Sequence, residues 1–140
     1  MRSHPMIGCV LLLGACGGGG SLPITLTASP LSSPPEAMAC ARAKLDTLKY
    51  QLSSFDQTEL RLTARRVNNS IHRADPLYRR NVDRMEVQVA PEADGKTSLT
   101  VTARTYAEFE THRGPTEQEE RASADAQQSA RAVVDACGHS

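Results

Sequence analysis

Apolar residues recur every three or four positions in two segments of the chain, and at every second position between them. The longer spacing predicts two amphipathic helices, and the alternation predicts strands that bury one face. The apolar stripe of the first helix is Met38, Ala41, Leu45, Leu48 and Leu52, and that of the second is Ala122, Ala126, Ala130, Val133 and Cys137.

Each predicted helix is preceded by residues that favour helix initiation. Ser33 and Glu36 have the spacing of a capping box, with prolines between them where a missing N–H costs nothing. Thr116 and Glu119 have the same spacing directly after Pro115, so we expect the second helix to begin there. The glutamates of this segment would then lie at the positive end of the helix dipole.

Four strands are predicted between the helices, and a turn at Asp94 and Gly95 separates the last two. The order of elements is α-β-β-β-β-α. It predicts an α+β fold, a two-layer sandwich with an antiparallel sheet and both helices on one of its faces. The predicted strands span residues 50–55, 60–65, 85–89 and 99–109, and the connection 67–82 is expected to be irregular.

The composition sets the size of the core and excludes some classes of protein. The chain has 140 residues, the length of a single domain. Only 39% of the residues are hydrophobic and 4% are aromatic, so a small core of Leu, Val, Met and Ala is expected. Lys and Arg together number 16, as do Asp and Glu, which excludes a bulk polycation or polyanion.

The N-terminal 35 residues differ from the rest, because after Arg2 the next charged residue is Glu36. An apolar run at residues 6–13 is too short for the roughly 20 residues that span a bilayer, and it has the features of a secretory signal. The run ends in Leu13-Gly14-Ala15-Cys16, which resembles the lipobox of bacterial lipoproteins.

That resemblance implies a signal peptide over residues 1–15 and a diacylglycerol on the thiol of Cys16. It places the protein in the bacterial cell envelope, with the membrane as a partner through the lipid. Gly17 stands where Asp would retain a lipoprotein in the inner membrane, which implies the outer membrane, facing the periplasm. The alternative is an ordinary signal peptide cut after Ala15. Residues 16–35 are rich in Gly, Ser and Pro and predict a flexible linker, followed by a single α+β domain over residues 36–140.

The exported domain would keep two cysteines, Cys40 and Cys137, one in each predicted helix. Antiparallel helices on one sheet face would bring them together, and an exported compartment is oxidising. We therefore expect a disulfide worth about 4–5 kcal/mol in the chain-entropy model. A metal site with His139 and another histidine is the alternative, but the spacing is not that of zinc ligands. No metal and no cofactor are expected.

Two charge clusters stand out against the neutral total. Residues 65–84 carry a net charge of plus four, all from arginines, and residues 108–120 a net charge of minus four, all from glutamates. One interpretation is a solvated surface. The other is that the arginines contact phosphate or carboxylate groups of a lipid headgroup, a cell-wall polymer or an envelope protein. Nucleic acid is not expected as a partner, because no aromatic stacking platform accompanies the arginines.

Candidate chemistry is sparse. No catalytic motif occurs, and the histidines at 72, 112 and 139 are isolated. The layout of elements is similar to that of accessory lipoproteins of the outer-membrane barrel-assembly machinery, which implies a non-enzymatic interaction or structural module. The alternatives are a carrier that holds a small apolar ligand between sheet and helices, and an enzyme with an unrecognised site.

The candidate binding surface is the sheet face that the helices leave open. Arginine and tyrosine often anchor interfaces, and the predicted open face carries both types among threonines. Pairing of Arg65 with Glu86 across strands is the alternative explanation, since it would stabilise the sheet without a partner. The candidate binding residues are Arg61, Arg65, Arg104 and Tyr106.

Overall fold

The computed structural model describes residues 22–139, and the predicted signal peptide and Cys16 lie outside these residues. Two helices and six strands follow one another, so the α+β prediction is confirmed. The elements are β1 (Ile24–Ala28), α1 (Pro34–Thr47), β2 (Gln51–Asp56), β3 (Arg61–Asn68), β4 (Tyr78–Pro91), β5 (Thr97–Thr111), β6 (Gly114–Glu120) and α2 (Ala124–Cys137).

All strand pairs of the sheet are antiparallel, in the order β1-β5-β4-β3-β2. The sixth strand, β6, also pairs with β5. Residues 99–103 of β5 pair with β1 and residues 105–111 pair with β6, while β4 occupies its other side. β1 and β6 therefore share one edge of β5, and β2 forms the opposite edge of the sheet.

The core lies between the sheet and the two helices, which pack on each other and against the sheet. Alternate residues of β3, β4 and β5 contribute fully buried Leu62, Met85 and Leu99. The predicted stripes pack against them except at Leu52, which was predicted as part of the first helix but lies in β2 and is 44% exposed, because α1 ends at Thr47. In α2 the buried positions include Ala126 and Ala130. Because alanine side chains are small, α2 can approach its neighbours closely.

The predicted disulfide between Cys40 and Cys137 is present. The two Cα atoms are 5.7 Å apart, and the bond joins residues separated by 97 positions. Cys137 is fully buried at the end of α2. The bond therefore fastens the two helices to each other and closes a loop that contains β2 to β6.

The prediction of a flexible linker up to residue 35 is wrong for residues 24–28, which form β1. Ile24 and Leu26 are half-buried against the core, and the threonines between them point outward. The carbonyl of Leu22 also accepts a hydrogen bond from the Ala122 N–H, at 3.1 Å. Pairing with β5 satisfies the backbone of this segment, so it is ordered despite a modest apolar content.

The predicted start of the second helix at Pro115 is also wrong. Residues 114–120 form β6, and α2 begins at Ala124 with Ser123 as its N-cap. The Ser123 hydroxyl accepts the backbone N–H of Ala126 at 3.0 Å. The element order is therefore β-α-β-β-β-β-β-α, with two strands more than the sequence pattern predicts.

The predicted start of the first helix and the predicted turn before β5 agree with the structure, whereas β3 and β4 are longer than predicted. The Glu36 carboxylate accepts the Ser33 backbone N–H at 3.0 Å, and this bond lowers the pKa of Glu36. Asp94 and Gly95 both have positive φ in the β4–β5 turn. The connection predicted to be irregular over residues 67–82 shrinks to 69–77, because β3 and β4 extend into it.

Candidate binding surface

The structure places all four candidate residues on the sheet face opposite the helices. Arg61 and Arg65 are exposed on β3, and Arg104 and Tyr106 are half-buried on β5. Arg104 and Tyr106 each lie between two buried neighbours, and Arg61 and Arg65 each have one buried neighbour, as the alternation requires. They do not form one cluster, because Arg61 lies four residues along β3 from Arg65, about 13 Å.

Three arginines form a row across the middle of this face. Arg65 lies directly opposite Arg84 on β4, and Arg84 lies directly opposite Arg104 on β5. Like charges directly opposite each other destabilise a sheet. Glu86 lies opposite Thr63, so the alternative pairing of Arg65 with Glu86 is not formed directly. We call Arg65, Arg84 and Arg104 the arginine row.

Arg84 was not among the candidate binding residues predicted from the sequence. The alternation of buried and exposed residues in β4 would have indicated it. Arg84 alternates with buried Asp83 and Met85 and so shares a face with Glu86. The guanidinium carbon of Arg84 also lies 4.2 Å from the ring centroid of Tyr106, a cation–π contact that holds both side chains on the open face.

Glutamates of β6 neutralise two arginines of the row. Glu117 pairs with Arg84, and Glu119 accepts a hydrogen bond from Arg104 Nη1 at 2.7 Å. The bond to Glu119 raises the pKa of Arg104. The acidic cluster of residues 108–120 therefore lies beside the arginine cluster. The glutamates after Pro115 were predicted to lie in the first turn of a helix, but they lie in β6.

The same pairing continues beyond the row. Arg80 Nε lies 2.5 Å from a carboxylate oxygen of Glu108, and Arg73 pairs with Glu120. These four ion pairs are all partly exposed, so each contributes little to stability. Together they offset much of the charge of the two clusters.

Arg65 is the exception in the row. Among residues 22–139 its side chain makes no hydrogen bond and no ion pair, and Arg65 is exposed. It lines a cleft of about 640 Å³ on the open face, which runs from Gln51 on β2 to Tyr106 on β5. A guanidinium group with free donors at this position can donate a bidentate pair of hydrogen bonds to a carboxylate or phosphate.

A second concavity lies on the helix side of the same sheet edge. It is a groove of about 610 Å³ between α1 and strands β2 and β3. Leu52 and Phe55 of β2 line it and are 44% and 37% exposed. Leu60 also lines it, with a φ of 49°, in the left-handed region where a bulky residue is strained. Arg42 of α1 lies 5.3 Å above the Phe55 ring.

Beneath the helices, the sheet buries a carboxylate that the sequence analysis missed. Asp83 is fully buried and accepts hydrogen bonds from Thr105 at 2.7 Å, Ser123 at 2.8 Å and Asn68 at 2.9 Å. Arg66 lies 3.9 Å away. Asp83 lies two residues before Met85 and four before Val87, on the same face of β4, so the strand pattern could have indicated that it points into the core.

Arg66 connects this buried network to the α1–β2 connection. Its guanidinium group donates to the Leu48 carbonyl at 2.9 Å and to Ser129 at 3.3 Å, and lies 4.4 Å above the Tyr50 ring. Burial raises the pKa of Tyr50. Because these donors reach the Leu48 carbonyl after α1 and Ser129 of α2, Arg66 connects β3 to both helices and stabilises the fold.

The described histidines are all exposed, in a loop, in the β5–β6 turn and after α2. Within residues 22–139 no group of His, Cys, Asp or Glu has the arrangement of a metal site. No helix in that same part of the chain is long and apolar enough to cross a membrane. No protein-family model matches the chain, and no curated protein is significantly similar to it.

Proposed function

We propose that this protein is a lipid-anchored protein of the bacterial envelope whose domain binds an acidic segment of a partner protein, without catalysis. The observation that carries the proposal is the arginine row, in which Arg65 has no partner within residues 22–139 while Arg84 and Arg104 are paired. Because Glu117 and Glu119 neutralise Arg84 and Arg104, Arg65 is the uncompensated charge of the row. An acidic partner would neutralise this charge and gain charge-assisted hydrogen bonds.

Binding of a protein fits the open face better than carriage of a small ligand inside the fold. The space between helices and sheet is filled by side chains such as Met85, Val101 and Val133, each with no exposed surface. The apolar groove lies at the margin of the fold and is open to solvent. The carrier hypothesis therefore has less support than the interaction hypothesis.

Binding of a defined acidic probe tests the domain's role. A fluorescent peptide of alternating Glu and Ser is titrated with the purified protein, with anisotropy as the readout. Changing Arg65 to Gln should weaken binding about tenfold, or about 1.4 kcal/mol, because Arg65 is the member of the arginine row with free donors and it lines the cleft, whereas Arg61 does not. Arg61→Gln removes the same charge from the same face and is the matched control. Equal losses in both variants would indicate unspecific attraction and contradict the proposal.

The anchor is tested separately, by cell fractionation. Cys16→Ser should move the protein from the membrane fraction to the soluble fraction and abolish labelling with a radioactive fatty acid. The reason is that acyl chains on this thiol would supply the membrane affinity. A variant that still sediments with the membrane and keeps its label would show that Cys16 is not the anchor.

A further inference from the structure

Strand β2 is an exposed edge of the sheet. It pairs with β3 and with no other strand of residues 22–139, and all six of its residues are exposed. Edge strands in natural proteins carry prolines, charges or β-bulges that discourage pairing with another chain, and of these β2 has one bulge, between Leu52 and Ser54. β2 has no proline, and its only charged residue is Asp56 at its end. At the opposite edge, β1 is short and β6 carries Pro115 and three glutamates.

A β-bulge arranges the side chains of β2. Gln51 pairs with Arg65 and Leu52 with Ala64, but the register then shifts so that Phe55 pairs with Leu62. Because of this shift, Leu52 and Phe55 both lie on the helix side, while Gln51 lies on the open side. The edge therefore has an apolar surface on one face and a polar surface on the other.

The two concavities described above meet at this strand. The apolar groove borders β2 on the helix side, and the cleft with the arginine row borders it on the open side. At the Gln51 end, Arg65 lies directly opposite Gln51 on the open side, and Lys49 borders a smaller concavity together with both residues. At the other end, Asp56 is engaged in the β2–β3 turn, where it accepts the backbone N–H groups of Thr58 and Glu59.

We propose that β2 accepts an extended segment of a partner protein as a seventh strand, with alternating apolar and acidic side chains. Added strands gain affinity from main-chain hydrogen bonds and specificity from alternate side chains. Alternate side chains of the segment would enter the groove beside Leu52 and Phe55, and those between them would lie on the open side, with the one nearest Gln51 pointing toward Arg65. The expectation of acidic side chains in the segment rests on the proposed function, whereas the expectation of main-chain pairing with β2 does not.

The distances allow this arrangement. Neighbouring strands are about 4.8 Å apart, so the backbone of an added strand lies about 10 Å from that of β3. Glutamate and arginine side chains together can span that distance. Since β2 has six residues, a segment of about six to eight residues would cover it.

The test uses an eight-residue peptide of alternating Glu and Val, titrated with the purified full-length protein. Two further peptides carry N-methyl groups on the amides of either the Glu or the Val residues. In an antiparallel or parallel pair, only alternate N–H groups point at the neighbouring strand. We expect one methylated peptide to lose at least tenfold in affinity while the other binds as the parent does.

Matched variants locate the binding edge. Leu52→Ser should weaken the parent peptide at least fivefold, because it removes apolar surface from the groove. Leu77→Ser is the control, since Leu77 is 46% exposed, against 44% for Leu52, and lies outside both concavities. Thermal melting of both variants checks that they remain folded.

Each negative result of these experiments leads to a different conclusion. Equal binding of both methylated peptides would overturn strand addition, and so would no binding of the parent. The proposed function would survive either result if the Glu-Ser probe still depended on Arg65. A dimer in sedimentation equilibrium that Leu52→Ser dissociates would assign the edge to a second copy instead. Binding of dodecanoate that depends on Leu52, with no binding of the peptide, would assign the groove to a small apolar ligand.

Discussion

Two adjacent rows of residues across β3, β4 and β5 place charged side chains on opposite faces of the sheet and surround them differently. On the covered face, Arg66 lies opposite Asp83, which lies opposite Thr105. Asp83 has no exposed surface, and both of its oxygens accept hydrogen bonds. One residue away, the arginine row lies on the open face, with Arg65 free of any partner in residues 22–139 and solvent beside it.

The difference shows what each face is able to tolerate. A buried carboxylate without donors would cost several kcal/mol, so the chain must supply every partner itself. An exposed guanidinium is hydrated, so the chain can leave it unpaired at little cost. Groups free to bind a partner are therefore found on the open face, while the covered face keeps its polar groups for folding.

The largest expected effect comes from the bond between the helices. Replacing Cys40 and Cys137 together with Ala should lower the free energy of unfolding by about 4 kcal/mol, since a closed loop of 97 residues would be released in the unfolded state. Urea unfolding without reductant measures this loss. Binding of the acidic probe should persist wherever the variant remains folded. A loss below about 1 kcal/mol would contradict the estimate from chain entropy.

Asp83→Ala should lower the free energy of unfolding by about 3 kcal/mol, because three buried donors lose their acceptor. The same urea titration measures it. Glu86→Ala is the control, since Glu86 lies three residues further along β4 on the open face, and its loss should change stability by less than about 0.5 kcal/mol. Similar losses for the two variants would contradict the contrast between the faces.

Much of the fold was visible in the sequence because alternation and helical spacing are local signals. β1 has such alternation as well, but the surrounding glycines and prolines outweighed it in the sequence analysis. β6 is a different case. Gly, Pro and Glu are poor strand formers, so the composition of residues 114–120 does not indicate a strand, although β6 forms a hairpin with its neighbour β5. The glutamates of β6 pair with arginines that are distant in sequence, such as Arg84, 33 positions from Glu117, and no local pattern encodes these ion pairs.

The sequence predicted on which face of the sheet the candidate residues lie, but not which residues lie next to them. Alternation assigned Arg65 and Arg104 to the open side, but the pairing register cannot be read from alternation alone. A shift of two residues keeps every side chain on its face and changes its neighbours. Such a shift decides whether Arg65 lies opposite Glu86 or Arg84. The arginine row therefore required the structure.

A smaller effect is expected for the ion pair at the end of the row. A double-mutant cycle with Arg104→Gln and Glu119→Gln should give a coupling of about 0.5 kcal/mol, because both side chains are partly exposed. Thermal unfolding of the four proteins, repeated in 0.5 M salt, measures it, and the coupling should shrink as salt screens the charges. A coupling above about 2 kcal/mol would indicate that this pair behaves like the buried network.

The smallest effect is expected for Arg65 itself. Arg65→Gln should leave the free energy of unfolding within about 0.3 kcal/mol of the original protein, or raise it slightly, because it removes repulsion from Arg84. Differential scanning calorimetry at low salt detects such a change. A clear loss of stability, without a loss of probe binding, would show that Arg65 supports the sheet.

The position of the disulfide also determines how the domain would respond to mechanical load. Within residues 22–139, β1 is the only strand that precedes Cys40 and so lies outside the covalently closed loop. A force applied through the N-terminus and resisted at the C-terminus would therefore peel β1 from β5 and unwind the start of α1. It would then reach a covalent stop at Cys40, after extending about 60 Å of chain. The remaining five strands would stay folded under tension.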